Sequence, residues 1–194
     1  MDKFLETIKI VNGNISFLEF HNQRLNNTRK ALFHNQDDID LHDFIQAPSK
    51  TEIYKCRVIY SQRIETLEYF FYQEKNFNSF KIIADDNIVY PFKYLDREHL
   101  NRLVILKELA DDILIIKQGF ITDTSIANVA FWHQDKWFTP STPLLKGTTR
   151  ERLLREKQIK EADIRLKDVK DFSKMAIMNA LIGFYVIEDF KLIF

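Results

Sequence analysis

The sequence predicts an α+β protein of two domains with mostly antiparallel sheets. Three observations lead there. Strand-like runs come in pairs around short polar turns, the pattern of antiparallel hairpins. Helical stretches interrupt them without regular strand–helix–strand alternation, which argues against a doubly wound parallel sheet. A polar break, Asp85-Asp86-Asn87, followed by the helix breaker Pro91, divides the chain near its middle. The division expected is a small N-terminal α+β domain over 1–87 and a larger C-terminal domain over 88–194.

Element by element, FLETIKI and ISFLEF flank Asn12-Gly13 and read as a hairpin, because Asn-Gly tolerates the positive φ of a two-residue turn. A helix is expected from about Asn22 to Phe33, with Leu25, Thr28 and Leu32 on one face, and a short one near Leu41–Ala47, stopped by Pro48-Ser49. IYKCRVIY and IETLEYFFY form a second hairpin, and FKIIA a further strand of the first domain. Beyond the break, a helix over Tyr94–Leu109 is followed by hairpins turning at Gln118-Gly119 and Gln134-Asp135. A helix starts after Gly147, and the last stretch reads as strands with a turn near Gly183.

Composition narrows the function. The chain has 194 residues, enough to bury a core, and 45% of them are apolar, which is globular usage. Lys plus Arg and Asp plus Glu number 28 each, so there is no excess positive charge for a nucleic-acid footprint. Cys56, the one cysteine, excludes an intrachain disulfide and reads as a buried small hydrophobe. No apolar run approaches the ~18 residues of a membrane span, and Met1-Asp2-Lys3 leads into no signal-like segment, so a soluble cytoplasmic protein is expected.

His21, His34, His42, His99 and His133 form no metal-binding spacing, and no metal is expected. Nucleophile-elbow and Walker-type patterns are absent, and four glycines are too few for a glycine-rich dinucleotide loop. LKGTTRE opens a helix at Thr148-Thr149, where unpaired N–H groups suit a phosphate, although Thr148-x-x-Glu151 is equally a capping box. Arg24 in FHNQRL is either a solvated helix arginine or a phosphate fork. Asp123, with Thr124 and Ser125, is either an Asx turn or a placed carboxylate. Asn179 fits a backbone-capping amide. Lys93, in the aromatic setting YPFKY, is either solvated or a desolvated nucleophile and base.

The order of these motifs carries more than any one of them. FHxxRL, a lysine before xLDR, Asp123 with small residues and ANxxF, TPxLxKGTTR, and a late NALxG together resemble the class IV aminotransferase family, enzymes of the D-amino-acid aminotransferase type that use pyridoxal 5'-phosphate. Within it the pattern is most similar to 4-amino-4-deoxychorismate lyase. The resemblance implies the two-domain fold type IV, with the cofactor between the domains and a homodimer. It implies Lys93 as the Schiff-base residue and proton shuttle, and Arg24 with the N–H groups of Thr148 and Thr149 on the phosphate. Asp123 would face the pyridine nitrogen, and Asn179 would lie near phosphate or substrate.

The implied reaction releases 4-aminobenzoate and pyruvate for folate biosynthesis. Transamination of a branched-chain or D-amino acid, and a non-catalytic cofactor binder, are the alternatives. This chain has Asp123 where the family usually has glutamate, and Asp96 where it has asparagine. Residues 93–97 and 98–102 carry nearly the same pattern, Lys-Tyr-Leu-Asp-Arg and Glu-His-Leu-Asn-Arg. Only the first has a lysine at its head, and Glu98 cannot form an imine, so the expected anchor is Lys93 and Arg102 is expected to be a solvated or interface residue.

Overall fold

A computed structural model describes residues 2–194. The chain forms two compact units, Met1–Glu74 with Phe92–Asp96, and Lys75–Pro91 with Arg97–Phe194. This differs from a division at 87/88 in two ways. The FKIIA strand belongs to the second unit because its partners are there. Residues 92–96, Lys93 among them, belong to the first, because their backbone is bonded to its first strand.

In the first unit, β1 (Phe4–Val11), β2 (Asn14–Ile15), β3 (Ile53–Tyr60) and β4 (Ile64–Phe71) form an antiparallel sheet in the order β2-β1-β3-β4. The turn between β1 and β2 has φ of 50° at Asn12 and 82° at Gly13, as the Asn-Gly pair predicts. Strand alternation turns Phe4, Glu6, Ile8 and Ile10 inward, against Leu25, Leu41, Cys56, Val58 and Tyr60. Helix α1 (Leu18–Phe33) begins four residues before the expected start.

The buried face of α1 is largely polar: His21, Leu25, Asn26, Thr28 and Arg29, with Leu32 exposed instead. Polar groups can be buried there because they are satisfied. Arg29 reaches the Gln62 and Asp37 carbonyls, the Asn26 side chain and the Asp37 carboxylate. The second expected helix is one 3₁₀ turn, Leu41–Asp43.

The second unit comprises β5 (Ser79–Ala84), α2 (Glu98–Ile105), β6 (Asp112–Lys117), β7 (Phe120–Thr124), β8 (Asn128–His133), β9 (Lys136–Pro140), α3 (Thr148–Arg155), β10 (Ile159–Ala162), β11 (Lys174–Asn179), β12 (Gly183–Ile187) and β13 (Lys191–Ile193). The three expected hairpins form: β6–β7, β8–β9 and β11–β12. Strand β11 returns to β8, while β5–β6, β5–β13 and β9–β10 are parallel. Phe80, Leu114, Val129, Phe131, Met175 and Ile177 fill one core cluster. Leu153 of α3 packs with Ala130, Ala176 and Met178, and Leu100 and Leu103 of α2 pack with Ile88, Ile113 and Ile115.

Helix α2 has half the expected length, because the chain ahead of it is extended. Leu5 N–H donates to the Lys93 carbonyl at 2.9 Å and Leu95 N–H to the Lys3 carbonyl at 2.8 Å, so residues 93–95 continue the sheet at the edge of β1. Phe92 and Tyr94 pack around Phe4 with ring centroids 6.3 and 5.0 Å away. Each such ring pair is worth about 0.5–1.5 kcal/mol beyond its area, enough to outweigh the local helix preference of one turn. No helix of the described residues is long and apolar enough to cross a membrane.

Candidate active site

The residues singled out in the sequence fall into two groups, one within each unit. In the first unit β1 fixes the backbone of Lys93, and Lys93 lies within electrostatic reach of His21. His21 and Arg24 stand one turn apart on α1, and both bind a residue that the sequence reading did not select, Glu6 of β1. Arg24 donates Nε to Glu6 Oε1 at 2.8 Å and Nη2 to Oε2 at 2.6 Å. His21 Nδ1 meets the same Oε2 at 2.6 Å. The Arg24 fork assigned to phosphate is thus directed at Glu6.

Burial alone would raise the Glu6 carboxyl. The Arg24 charge and fork, with the His21 hydrogen bond, outweigh it and bring the pKa to about 2. Burial lowers the pKa of His21, so the imidazole is neutral at neutral pH. An ionised Glu6 only accepts, so the His21 proton resides on Nδ1 and is donated to Glu6.

In the second unit Asp123 ends β7, opposite Asn128 at the start of β8. Its Oδ1 accepts from Asn128 Nδ2 at 2.7 Å and its Oδ2 from Leu145 N–H at 2.9 Å. The Asx turn therefore does not form. Thr124 makes the turn instead, its hydroxyl accepting from the N–H groups of Ile126 and Ala127. Burial raises the Asp123 carboxyl. Leu145 N–H, the Asn128 amide and the charge of buried Arg150 pull it back, and it settles at about 6.

The loop after Leu145 leads into α3, capped by Gly147 with no side-chain cap bond, so the Thr148–Glu151 capping box is not formed. Glu151 pairs with Arg155 instead. The first intrahelical bond runs from Glu151 N–H to Gly147, leaving the N–H groups of Thr148 and Thr149 in the unbonded first turn. Gly147 has an ordinary φ of −74°, yet no side chain fits there: a Cβ would lie 2.1 Å from Asn128 Oδ1.

Asn179 caps its own turn, accepting from Leu181 and Ile182 N–H at 2.9 Å each, and donates to the Ile126 carbonyl at 3.1 Å. Arg97 donates to the Ser125 carbonyl. Arg102 is exposed and pairs with Glu98. The two copies of the doubled pattern thus differ because Arg97 ends an extended segment while Arg102 lies on α2, not because two arginines share one helix. A cavity of about 410 Å³ in this unit is lined by Tyr90, Lys117, Thr122 and Leu144 rather than by Asp123 or Thr148.

These groups suit a phosphorylated pyridine. A buried carboxylate with a raised pKa is a good partner for a ring N–H, and a helix start offers N–H donors to a phosphate. A family model described as amino-transferase class IV matches residues 92–189. The chain belongs to the class IV aminotransferases. It is thereby a pyridoxal-phosphate-dependent enzyme of fold type IV.

Among full-length relatives is an uncharacterized protein of Haemophilus influenzae, 36% identical over 187 residues, covering 94% of this chain and 100% of that one. A crystal structure of a candidate 4-amino-4-deoxychorismate lyase from Haemophilus somnus is 33% identical with a TM-score of 0.88, covering 94% of this chain and 98% of that one. A pyridoxal-phosphate-bound hypothetical aminotransferase from Mycobacterium tuberculosis shares the fold at 16% identity, with a TM-score of 0.78 over 98% of this chain and 81% of that one.

Proposed function

We propose that the protein is a 4-amino-4-deoxychorismate lyase that releases 4-aminobenzoate and pyruvate. The observation that carries this reading is the likeness, over almost the whole of both chains, to the Haemophilus somnus protein. The cofactor supplies an electron sink for the bond-breaking step. Lys93 would hold it covalently and is the proposed base for the proton on ring C4 of the substrate. Asp123 would lie against the pyridine nitrogen and favour its protonated form. The N–H groups of Thr148 and Thr149 would bind the phosphate, with Arg24 as the proposed second anion-binding group. Asn179 borders the phosphate or substrate.

Departure of the side chain as enolpyruvate, with its ether oxygen and with breakage of the ring C–O bond, would then make the ring aromatic and give pyruvate on tautomerisation. The same reading makes the enzyme a cytoplasmic homodimer in folate biosynthesis.

The test is incubation of the cofactor-loaded protein with 4-amino-4-deoxychorismate. Equimolar 4-aminobenzoate and pyruvate are expected. A loaded protein that yields neither, and instead converts its cofactor to the pyridoxamine form with an amino acid, would overturn the lyase in favour of a transaminase.

A further inference from the structure

Asn128 uses both of its amide donors in this corner of the second unit, and each falls on a part of the proposed cofactor site. It is 5% exposed and opens β8 directly across from Asp123. One Nδ2 hydrogen goes to Asp123 Oδ1 at 2.7 Å and the other to the Leu145 carbonyl at 2.8 Å. Leu145 returns its own N–H to Asp123 Oδ2 at 2.9 Å, which closes a ring of three hydrogen bonds. The remaining atom, Oδ1, fills the space a side chain at residue 147 would need. The amide cannot be reversed, because Oδ1 would then face a carboxylate and a carbonyl.

We infer that Asn128 is a positioning residue that locks the Asp123 carboxylate and the 145–147 turn into one rigid piece, so that the ring-nitrogen partner and the phosphate-binding helix start are set relative to each other before the cofactor arrives. The inference rests on the reading that Asp123 and the start of α3 hold the cofactor. It also accounts for a glycine at 147 where the backbone angles require none. Aspartate is one methylene shorter than glutamate and has one fewer rotatable bond. Its reach is therefore set by the hairpin backbone and by the amide across from it, and Asn128 matters more to this chain than it would beside a longer acid.

The test is titration of the apoprotein with pyridoxal phosphate, with circular dichroism to confirm folding. Loss of a hydrogen bond to a charged group corresponds to about a tenfold to hundredfold weaker dissociation constant. Asn128→Ala is expected to weaken binding by that factor, and Gly147→Ala by a similar one because it forces the amide out of place. The double variant should be no weaker than the worse single one, since both break the same lock.

Asn128→Leu, which keeps the bulk and removes both donors, should move the pH at which cofactor affinity falls upward, because Asp123 loses a bond that favours its ionised form. Multiplying effects in the double variant, or an unmoved pH profile, overturn the inference. If Asn128→Leu does not fold, the Gly147→Ala comparison still decides. If Asp123→Ala itself leaves cofactor affinity and absorption unchanged, the site reading fails together with the inference. If Asp123→Ala weakens binding while Asn128→Ala does not, only the inference fails.

Discussion

Glu6 in the first unit and Asp123 in the second are both buried carboxylates, and their environments drive them in opposite directions. Burial raises both. Glu6 meets a guanidinium fork and an imidazole N–H and ends at about 2. Asp123 meets a neutral amide, a backbone N–H and a more distant arginine and ends at about 6. The difference teaches that burial does not decide the charge state here. A partner bearing formal charge in hydrogen-bond contact does. Glu6 is thus suited to be a permanent anion that anchors Arg24 and His21, and Asp123 to be a carboxylate that can share a proton with a ring nitrogen.

The strongest way to break this contrast is to remove the anchor. Glu6→Gln leaves half-buried Arg24 without its counter-charge and should cost about 3 kcal/mol of stability in denaturant unfolding. A loss under about 1 kcal/mol would mean that the Arg24–Glu6 fork is not what holds α1 on β1.

The pH dependence of the apoprotein sharpens the contrast, since the signs are opposite. Glu6 has a lowered pKa, so its contribution of about 3 kcal/mol is full above pH 4.5 and is lost as pH falls toward 2. His21, also lowered, adds to the acid loss below pH 6.5, because the unfolded chain takes up the proton more readily. Asp123 has a raised pKa, so its contribution is full below pH 3.8 and lost as pH rises through 6, again by about 3 kcal/mol. The stability difference between wild type and Glu6→Gln should therefore grow from pH 3 to 5, and that between wild type and Asp123→Ala should shift against the wild type from pH 4 to 7. Parallel curves for the two variants would erase the distinction.

The smallest effects test the doubled pattern. Arg102→Ala, which removes one exposed ion pair, should change stability by less than about 0.5 kcal/mol. Arg97→Ala, which removes a charged donor from the carbonyl of buried Ser125, should cost about 1.5–3 kcal/mol in the same unfolding measurement. Equal costs would show that the two copies are not distinguished in the way the structure indicates.

Much of the second unit was legible in the sequence because its hairpins are local and their turns carry the right residues. The extended form of residues 92–96 was not legible, because it depends on pairing with β1, some ninety residues away in the chain. The polar face of α1 escaped periodicity for a related reason: Asn26 and Arg29 are buried by bonding to one another and to a loop, which no hydrophobic pattern reports. The motif order pointed to Lys93, Arg24 and Asp123, carried Asn128 inside ANxxF without a role, and passed over Glu6. Glu6 had a signal, since it alternates with Phe4, Ile8 and Ile10 and so puts a charge on the inward face of a strand. Asn128 had a weaker one, an amide that a short hairpin places across from an acid.

The whole account depends on Lys93 as the residue that carries the cofactor. Borohydride reduction of the cofactor-loaded protein, followed by proteolysis and mass spectrometry of the peptides, tests that directly. The account predicts a phosphopyridoxyl group on Lys93 and its absence from the Lys93→Ala protein. A label on another lysine, or retention of the same label in Lys93→Ala, would contradict it.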